Sequence, residues 1–144
     1  MKVTNFLIDD VLLFEPNIHI DDRGYFYENF NKKSFHKNTG IEIEFVQENQ
    51  SFSKKNVLRG LHYQIPPFEQ GKLIKVLEGS IFDVAVDIRK NSKTFMKWIG
   101  EELSAENHKQ LWIPPGFAHG FLVLSNNACV SYKTTNFYSP KHER

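Results

Sequence analysis

The chain has 144 residues, 18 Lys and Arg against 17 Asp and Glu, a formal net charge of +1, and an aromatic fraction of 14% rich in phenylalanine. That length suits one domain with a real core and is too short for two. The near-neutral balance excludes the broad basic surface of a non-specific nucleic-acid binder while leaving room for a local cationic pocket.

The opening residues, Met1 to Phe6, lack the apolar stretch and small-residue end of a signal peptide. Val11 to Phe14 predicts a short strand, stopped by Glu15-Pro16-Asn17. Asp21-Asp22-Arg23-Gly24 is turn chemistry. Tyr25 to Phe30 then reads as a strand with Phe26, Glu28 and Phe30 on one face. Lys32 to Asn38 predicts one short helix, ended by Thr39-Gly40. From Phe45 to Phe52, Gln47, Asn49 and Ser51 alternate with Val46, Glu48 and Gln50. Taken alone, that segment reads as an edge strand with a wetted face. Leu73 to Leu77, the Glu78-Gly79-Ser80 turn and Ile81 to Ile88 predict a hairpin. Phe82, Val84, Val86 and Ile88 share its apolar face, with Asp83 and Asp87 on the other.

Phe95 to Leu103, Leu111 to Ile113, Ala118 to Leu124 and Ala128 to Thr135 complete the strands, separated by turn signals at Asn91 to Thr94, Pro114-Pro115-Gly116 and Ser125-Asn126-Asn127. Many short strands with little helix argue an all-β sandwich or barrel. Cys129 is the lone cysteine, so no internal disulfide can form and a reducing compartment is expected. No apolar run approaches membrane-spanning length. Together these features predict a soluble, cytoplasmic protein with no membrane partner.

The chemistry concentrates in Val57-Leu-Arg-Gly-Leu-His-Tyr-Gln64 and Gln70-Gly-Lys72. A structural strand has little need of Arg59, His62 and Lys72 so close together, whereas an anionic, ionisable substrate does. Neighbouring cations favour a neutral imidazole, the form that accepts a proton. Arg23 and Arg59 can each form a bidentate pair with phosphate; surface ion pairs are the duller reading. Tyr132, with Val130 and Thr134 on its face, reads alone as a packing residue. Pro114-x-Gly116-x-x-His119 looks like the second motif of the cupin barrels. A metal could be held by His62, Glu69 and His119, but Gln64 stands where the first cupin motif has its second histidine, so metal is the minority reading. Tyr138 and His142-Glu143-Arg144 could be a frayed tail.

Taken together, the segments resemble the dTDP-4-dehydrorhamnose 3,5-epimerase family. The resemblance rests on Asp22-Arg-Gly-Tyr-Phe-Tyr-Glu28, Gln47-Glu-Asn49, Val57 to Gln64, Gln70-Gly-Lys-Leu73, Gly79 to Asp87, Leu103 to Asn107, Leu111 to Phe121, Tyr132-Lys-Thr134 and Tyr138. It covers almost the whole chain in order, 1–144 reading as a single cupin-like epimerase domain. The resemblance implies a cupin-like, jelly-roll β-barrel that works without a metal or other cofactor, as a homodimer. The implied isomerase activity inverts C3 and C5 of dTDP-4-dehydro-6-deoxy-D-glucose on the way to dTDP-L-rhamnose, a nucleotide sugar for lipopolysaccharide or cell-wall polysaccharide.

By the family's pattern His62 is the base, Tyr132 the acid and Lys72 the charge beside the C4 oxygen. Arg23 and Arg59 hold the pyrophosphate. Phe26, Glu28, Gln47, Asn49 and His119 line the nucleotide and sugar sites, Tyr138 stacks on thymine and Glu143 adds a contact. On this reading the polar face of Gln47 and Asn49 lines the cavity, which reverses the edge-strand reading. The family's sequence continues into a Lys-Asp pair whose aspartate bonds the catalytic histidine. Residues 1–144 contain no match to it, and Asp83 is the expected stand-in. The competing functions are a C3- or C5-only mono-epimerase, a metal-dependent cupin enzyme and a non-catalytic sugar-nucleotide binding module.

Overall fold

The computed structural model describes residues 1–144. The first half contains β1 (Lys2–Asn5), β2 (Leu12–Glu15), β3 (His19–Asp21), β4 (Gly24–Phe26), α1 (Lys32–Thr39), β5 (Gln47–Lys54) and β6 (Leu58–His62). The second half contains β7 (Lys72–Glu78), β8 (Ser80–Asp87), β9 (Trp98–Ser104), β10 (Gln110–Ile113), β11 (Phe117–Val123) and β12 (Asn127–Thr134). They form a six-stranded sheet in the order β1-β2-β10-β7-β12-β5, a four-stranded sheet β6-β11-β8-β9, and a separate β3-β4 hairpin. The all-β, cupin-like expectation is met, with the two larger sheets face to face.

The alternation of side chains builds the core. Ile74, Val76, Leu111, Ile113 and Val130 from the six-stranded sheet meet Ile81, Ala85, Ile99, Phe121 and Val123 from the other, all buried. Each such aliphatic or aromatic side chain contributes about 1.5–3 kcal/mol on leaving water. A second cluster covers the outer face of the six-stranded sheet, where Leu12, Phe14, Leu73 and Trp112 pack beneath Phe35 of α1. Asn31 caps that helix, its side chain accepting from the Ser34 amide at 3.1 Å. No helix is long and apolar enough to cross a membrane.

The expected hairpin of Leu73–Leu77 and Ile81–Ile88 is corrected. β7 and β8 are consecutive but lie in different sheets, β7 between β10 and β12, and β8 between β11 and β9. The link turns a corner at Gly79, whose φ is +74° and whose missing Cβ would fall 2.0 Å from the Asn127 carbonyl oxygen. Turn chemistry alone does not distinguish a hairpin from a change of sheet.

The faces of β8 are inverted as well. Asp83, Ala85 and Asp87 point inward and are fully buried, while Phe82 is 37% exposed on the outside. The Tyr25–Phe30 strand is shortened to Gly24–Phe26, because Phe30 leaves the hairpin to pack on Phe35 and Phe45. Phe26 stays in solvent.

Candidate active site

A cavity of about 280 Å³ opens between the two sheets. On one wall β6 brings Arg59 and His62, and its neighbour β11 brings His119 and Phe121; His119 faces His62 directly across the strand pair. On the other wall β12 brings Tyr132, β5 brings Gln47, Asn49 and Ser51, and β7 brings Lys72 at its first residue. Tyr132 pairs with Asn49 on β5 and Ile74 on β7. β5 is an edge strand, as its sequence taken alone suggested, and its period-two alternation aims the polar set into the cavity, as the family resemblance implied. Residues 137–144 close one end and add Tyr138 and Glu143.

The polar residues hold one another in place. Arg59 Nε donates to Ser53 Oγ at 2.8 Å, and its Nη2 reaches the Phe52 carbonyl at 3.3 Å. The guanidinium thus spans from the four-stranded sheet to β5. Gln47 Nε2 donates to Asn49 Oδ1 at 2.8 Å, while Gln47 Oε1 accepts from the Tyr138 amide at 3.1 Å. Tyr138 Oη donates to Glu143 at 2.7 Å, so the last residues are tied down and not a frayed tail.

Burial shapes the titration of two groups. It pushes the Lys72 ammonium below the ordinary lysine value, against the opposing charges of Asp83 and Glu143. It raises the Tyr132 phenol, helped by Glu143 and opposed by Arg59 and Asn49. Tyr132 is accordingly a neutral phenol at pH 7.

The expected role of Asp83 is corrected. Its carboxylate is fully buried and accepts from Nε2 of His119 at 2.9 and 3.0 Å, so it is committed to His119 and does not bond His62. The register explains the choice: Asp83 lies opposite Phe121, two residues along β11 from His119, whereas β6 is one strand further away. The bond fixes the His119 tautomer and leaves the His62 imidazole with no side-chain hydrogen bond. Glu69, the carboxylate of the metal reading, is not among the cavity residues, and no three His, Cys, Asp or Glu side chains converge on a metal-sized centre.

Three of the expected residues lie elsewhere. Arg23 sits at the tip of the β3–β4 hairpin, paired with Asp21 and almost wholly exposed. Phe26 is 72% exposed, and Glu28 accepts only from Asn31 at 2.9 Å. Ser51, Tyr63, Gln64, Gln70 and Phe121 line the cavity without having been singled out as site residues. For Ser51 the signal existed, since it shares the two-residue period of Gln47 and Asn49. Its buried Oγ has no partner within the chain, which suits a hydroxyl that meets a ligand.

The protein-family model described as dTDP-4-dehydrorhamnose 3,5-epimerase matches residues 5–144. A Shigella flexneri protein of that name is 59% identical over 144 residues, which are all of this chain and 80% of that protein. A Legionella pneumophila dTDP-6-deoxy-D-glucose-3,5-epimerase, solved with dTDP-4-keto-L-rhamnose, superposes with a TM-score of 0.95 at 53% identity, covering 99% of this chain and 75% of that one. A 3'-monoepimerase from Streptomyces bikiniensis, solved with dTDP-quinovose, has a TM-score of 0.90 at 33% identity, covering 97% and 71%.

Proposed function

The chain belongs to the dTDP-4-dehydrorhamnose 3,5-epimerase family, and from that premise we propose that it inverts C3 and C5 of dTDP-4-dehydro-6-deoxy-D-glucose. The observation that carries this reading is the placement of His62 and Tyr132 on facing sheets, with Lys72 in the same cavity. Both reacting carbons flank the C4 ketone. His62 takes the proton from C3 or C5, and the C–H electron pair moves to form the enolate with its charge on the C4 oxygen. The Lys72 ammonium stabilises that charge as it develops. The Tyr132 O–H then returns a proton to the carbon from the opposite face, so the centre inverts. Arg59 meets the pyrophosphate; Gln47, Asn49 and His119 contact the sugar and nucleotide; Tyr138 stacks on the thymine base and Glu143 flanks it. No step calls for a metal or redox cofactor, since the ketone already acidifies both C–H bonds.

The working form is proposed to be a cytoplasmic homodimer, and three features of the chain support a second copy. Arg23 and Phe26 lie on the isolated β3–β4 hairpin and Glu28 just beyond its end, all three outside their own cavity. β6, which carries Arg59 and His62, is an edge strand whose residues are all exposed, an open template for strand addition. The outer face of the four-stranded sheet presents Leu58, Leu122, Phe82 and Trp98, from 36% to 69% exposed, on four adjacent strands. A neighbouring hairpin would bring Arg23 and Phe26 to the cavity.

Incubation with dTDP-4-dehydro-6-deoxy-D-glucose in D2O tests the proposal. Deuterium is expected at both C3 and C5 with conversion to dTDP-4-dehydro-L-rhamnose, and His62→Ala abolishes both. Exchange at one carbon alone would make the chain a mono-epimerase. Tight dTDP binding with no exchange would make it a binding module. The identity of 59% and 53% to the Shigella and Legionella 3,5-epimerases, against 33% to the Streptomyces 3'-monoepimerase, favours the double inversion.

A further inference from the structure

Gln64 occupies the position at which a metal-binding cupin motif has a histidine, two residues beyond His62. It is 7% exposed and its side-chain amide is nearly saturated. Nε2 donates to the Phe68 carbonyl and, at 3.1 Å, to the Phe137 carbonyl, while Oε1 accepts from the Ser139 amide at 2.7 Å. One amide thus grips the backbone on both sides of Tyr138. The main chain reinforces the grip: Tyr63 and Arg144 exchange amide-to-carbonyl bonds at 2.9 and 3.0 Å, and Ile65 donates to His142 at 2.9 Å.

Apolar packing does little to hold this segment. Phe137 is 60% and Tyr138 52% exposed, and neither belongs to either hydrophobic cluster. Polar bonds to Gln64, Gln47 and Glu143 therefore decide where Tyr138 stands. The chemistry required at position 64 is specific, because two carbonyls demand a donor and the Ser139 N–H demands an acceptor on the same side chain. A glutamate would set an oxygen against two carbonyl oxygens. A methionine fills the same space and satisfies none of the three.

We propose that Gln64 is a positioning residue for the nucleotide end of the site, holding Phe137–Ser139 so that Tyr138 presents its ring to the base. Because Gln64 directly continues the strand of His62, it also keeps the proton-transfer end and the nucleotide end in one frame. The inference rests on the reading in which Tyr138 stacks on thymine.

The test is a double-mutant cycle in the full chain: Gln64→Met, Tyr138→Ala and both together, with dTDP binding followed by calorimetry and turnover by KM and kcat. Gln64→Met is expected to weaken dTDP binding about 10-fold. It should raise KM in step with that loss while kcat stays within about threefold of the wild type. In the Tyr138→Ala background it should add less than about twofold, because its effect passes through Tyr138. Equal losses in both backgrounds, or unchanged binding by Gln64→Met, would overturn the inference and leave the Tyr138 reading intact. Unchanged binding by Tyr138→Ala would overturn the Tyr138 reading, and this inference with it. A measurement on the wild type covers the case in which Gln64→Met does not fold. The Ser139 amide should exchange with solvent deuterium far more slowly than its exposed surroundings allow, and exchange at an open-chain rate would refute the grip.

Discussion

Lys72 opens β7 with its ammonium largely withdrawn from water, and burial holds its pKa below the ordinary lysine value although Asp83 and Glu143 pull the other way. The folded protein therefore binds that proton less tightly than the unfolded chain does. Between the folded value and 10.5 the unfolded chain carries more protons, so this residue makes stability rise with pH there; below the folded value its whole cost is present. Lys72→Met is accordingly expected to raise the melting temperature at pH 7, by about 2–4 °C for each kcal/mol relieved. That gain should narrow as pH climbs toward 10. The same substitution should lower kcat by a factor of about 100–1,000, since the enolate oxygen loses its fixed charge. Melting curves at pH 7, 8.5 and 10, paired with turnover at pH 7, check both signs; a variant less stable than wild type at pH 7 would refute the desolvation account. A site residue that costs stability is what a trade between folding and chemistry predicts. Its residue type and its nearness to Arg59 and His62 made Lys72 legible in the sequence. The partner of Asp83 was not, because a one-strand difference in sheet order decides between His62 and His119.

At the level of the elements, most strands were readable from alternation and turn residues, and the helix from its polar run and its end at Gly40. Two features escaped. The corner at Gly79 looks like a hairpin in sequence, and the apolar face of β8 is the outer one, so a rule that places apolar residues inside inverts it. β6 shows a further constraint that composition hides. Gly60 has a φ of +119°, and a Cβ there would fall 2.6 Å from the Gly120 Cα and 2.7 Å from the His119 carbonyl oxygen. β6 and β11 therefore approach through two glycines, and a bulge at this point, a step of three residues along β6 against two along β11, sets His62 opposite His119. Gly60→Ala is expected to cost about 2 kcal/mol or more, from the positive φ and the backbone clash together. Because β6 must move, activity should fall further than stability does. Urea unfolding beside the exchange assay would check this, and a Gly60→Ala protein with wild-type midpoint and turnover would contradict the packing described.

On the scale of the whole molecule, the β3–β4 hairpin and the cavity lie apart in a single chain. Arg23, Phe26 and Glu28 were expected at the substrate, and the structure sets them on an arm outside their own pocket. Sequence resemblance carries an expected ligand contact but not the chain that would supply it, because copies of one chain share one sequence. Tyr25 and Tyr27 stack at 6.0 Å and both rings lie against His108, at 4.9 and 5.1 Å, so the arm is anchored on its own chain by one set of aromatics. Phe26 and Glu28, the alternate residues, are left exposed for another surface. If the arm completes the cavity of a second copy, two inactive variants should restore one another. In a heterodimer of His62→Ala with a chain carrying Arg23→Ala and Phe26→Ala, one cavity combines both defects. The other joins an intact His62 to an intact arm. Mixing the two variants under conditions that exchange subunits should then recover activity, approaching one quarter of the wild-type level in an equal mixture: half the dimers are mixed by random pairing, and each has one working cavity of two. If each arm served its own cavity, every cavity in the mixture would carry one defect or the other, and activity would stay at the level of the two variants measured separately.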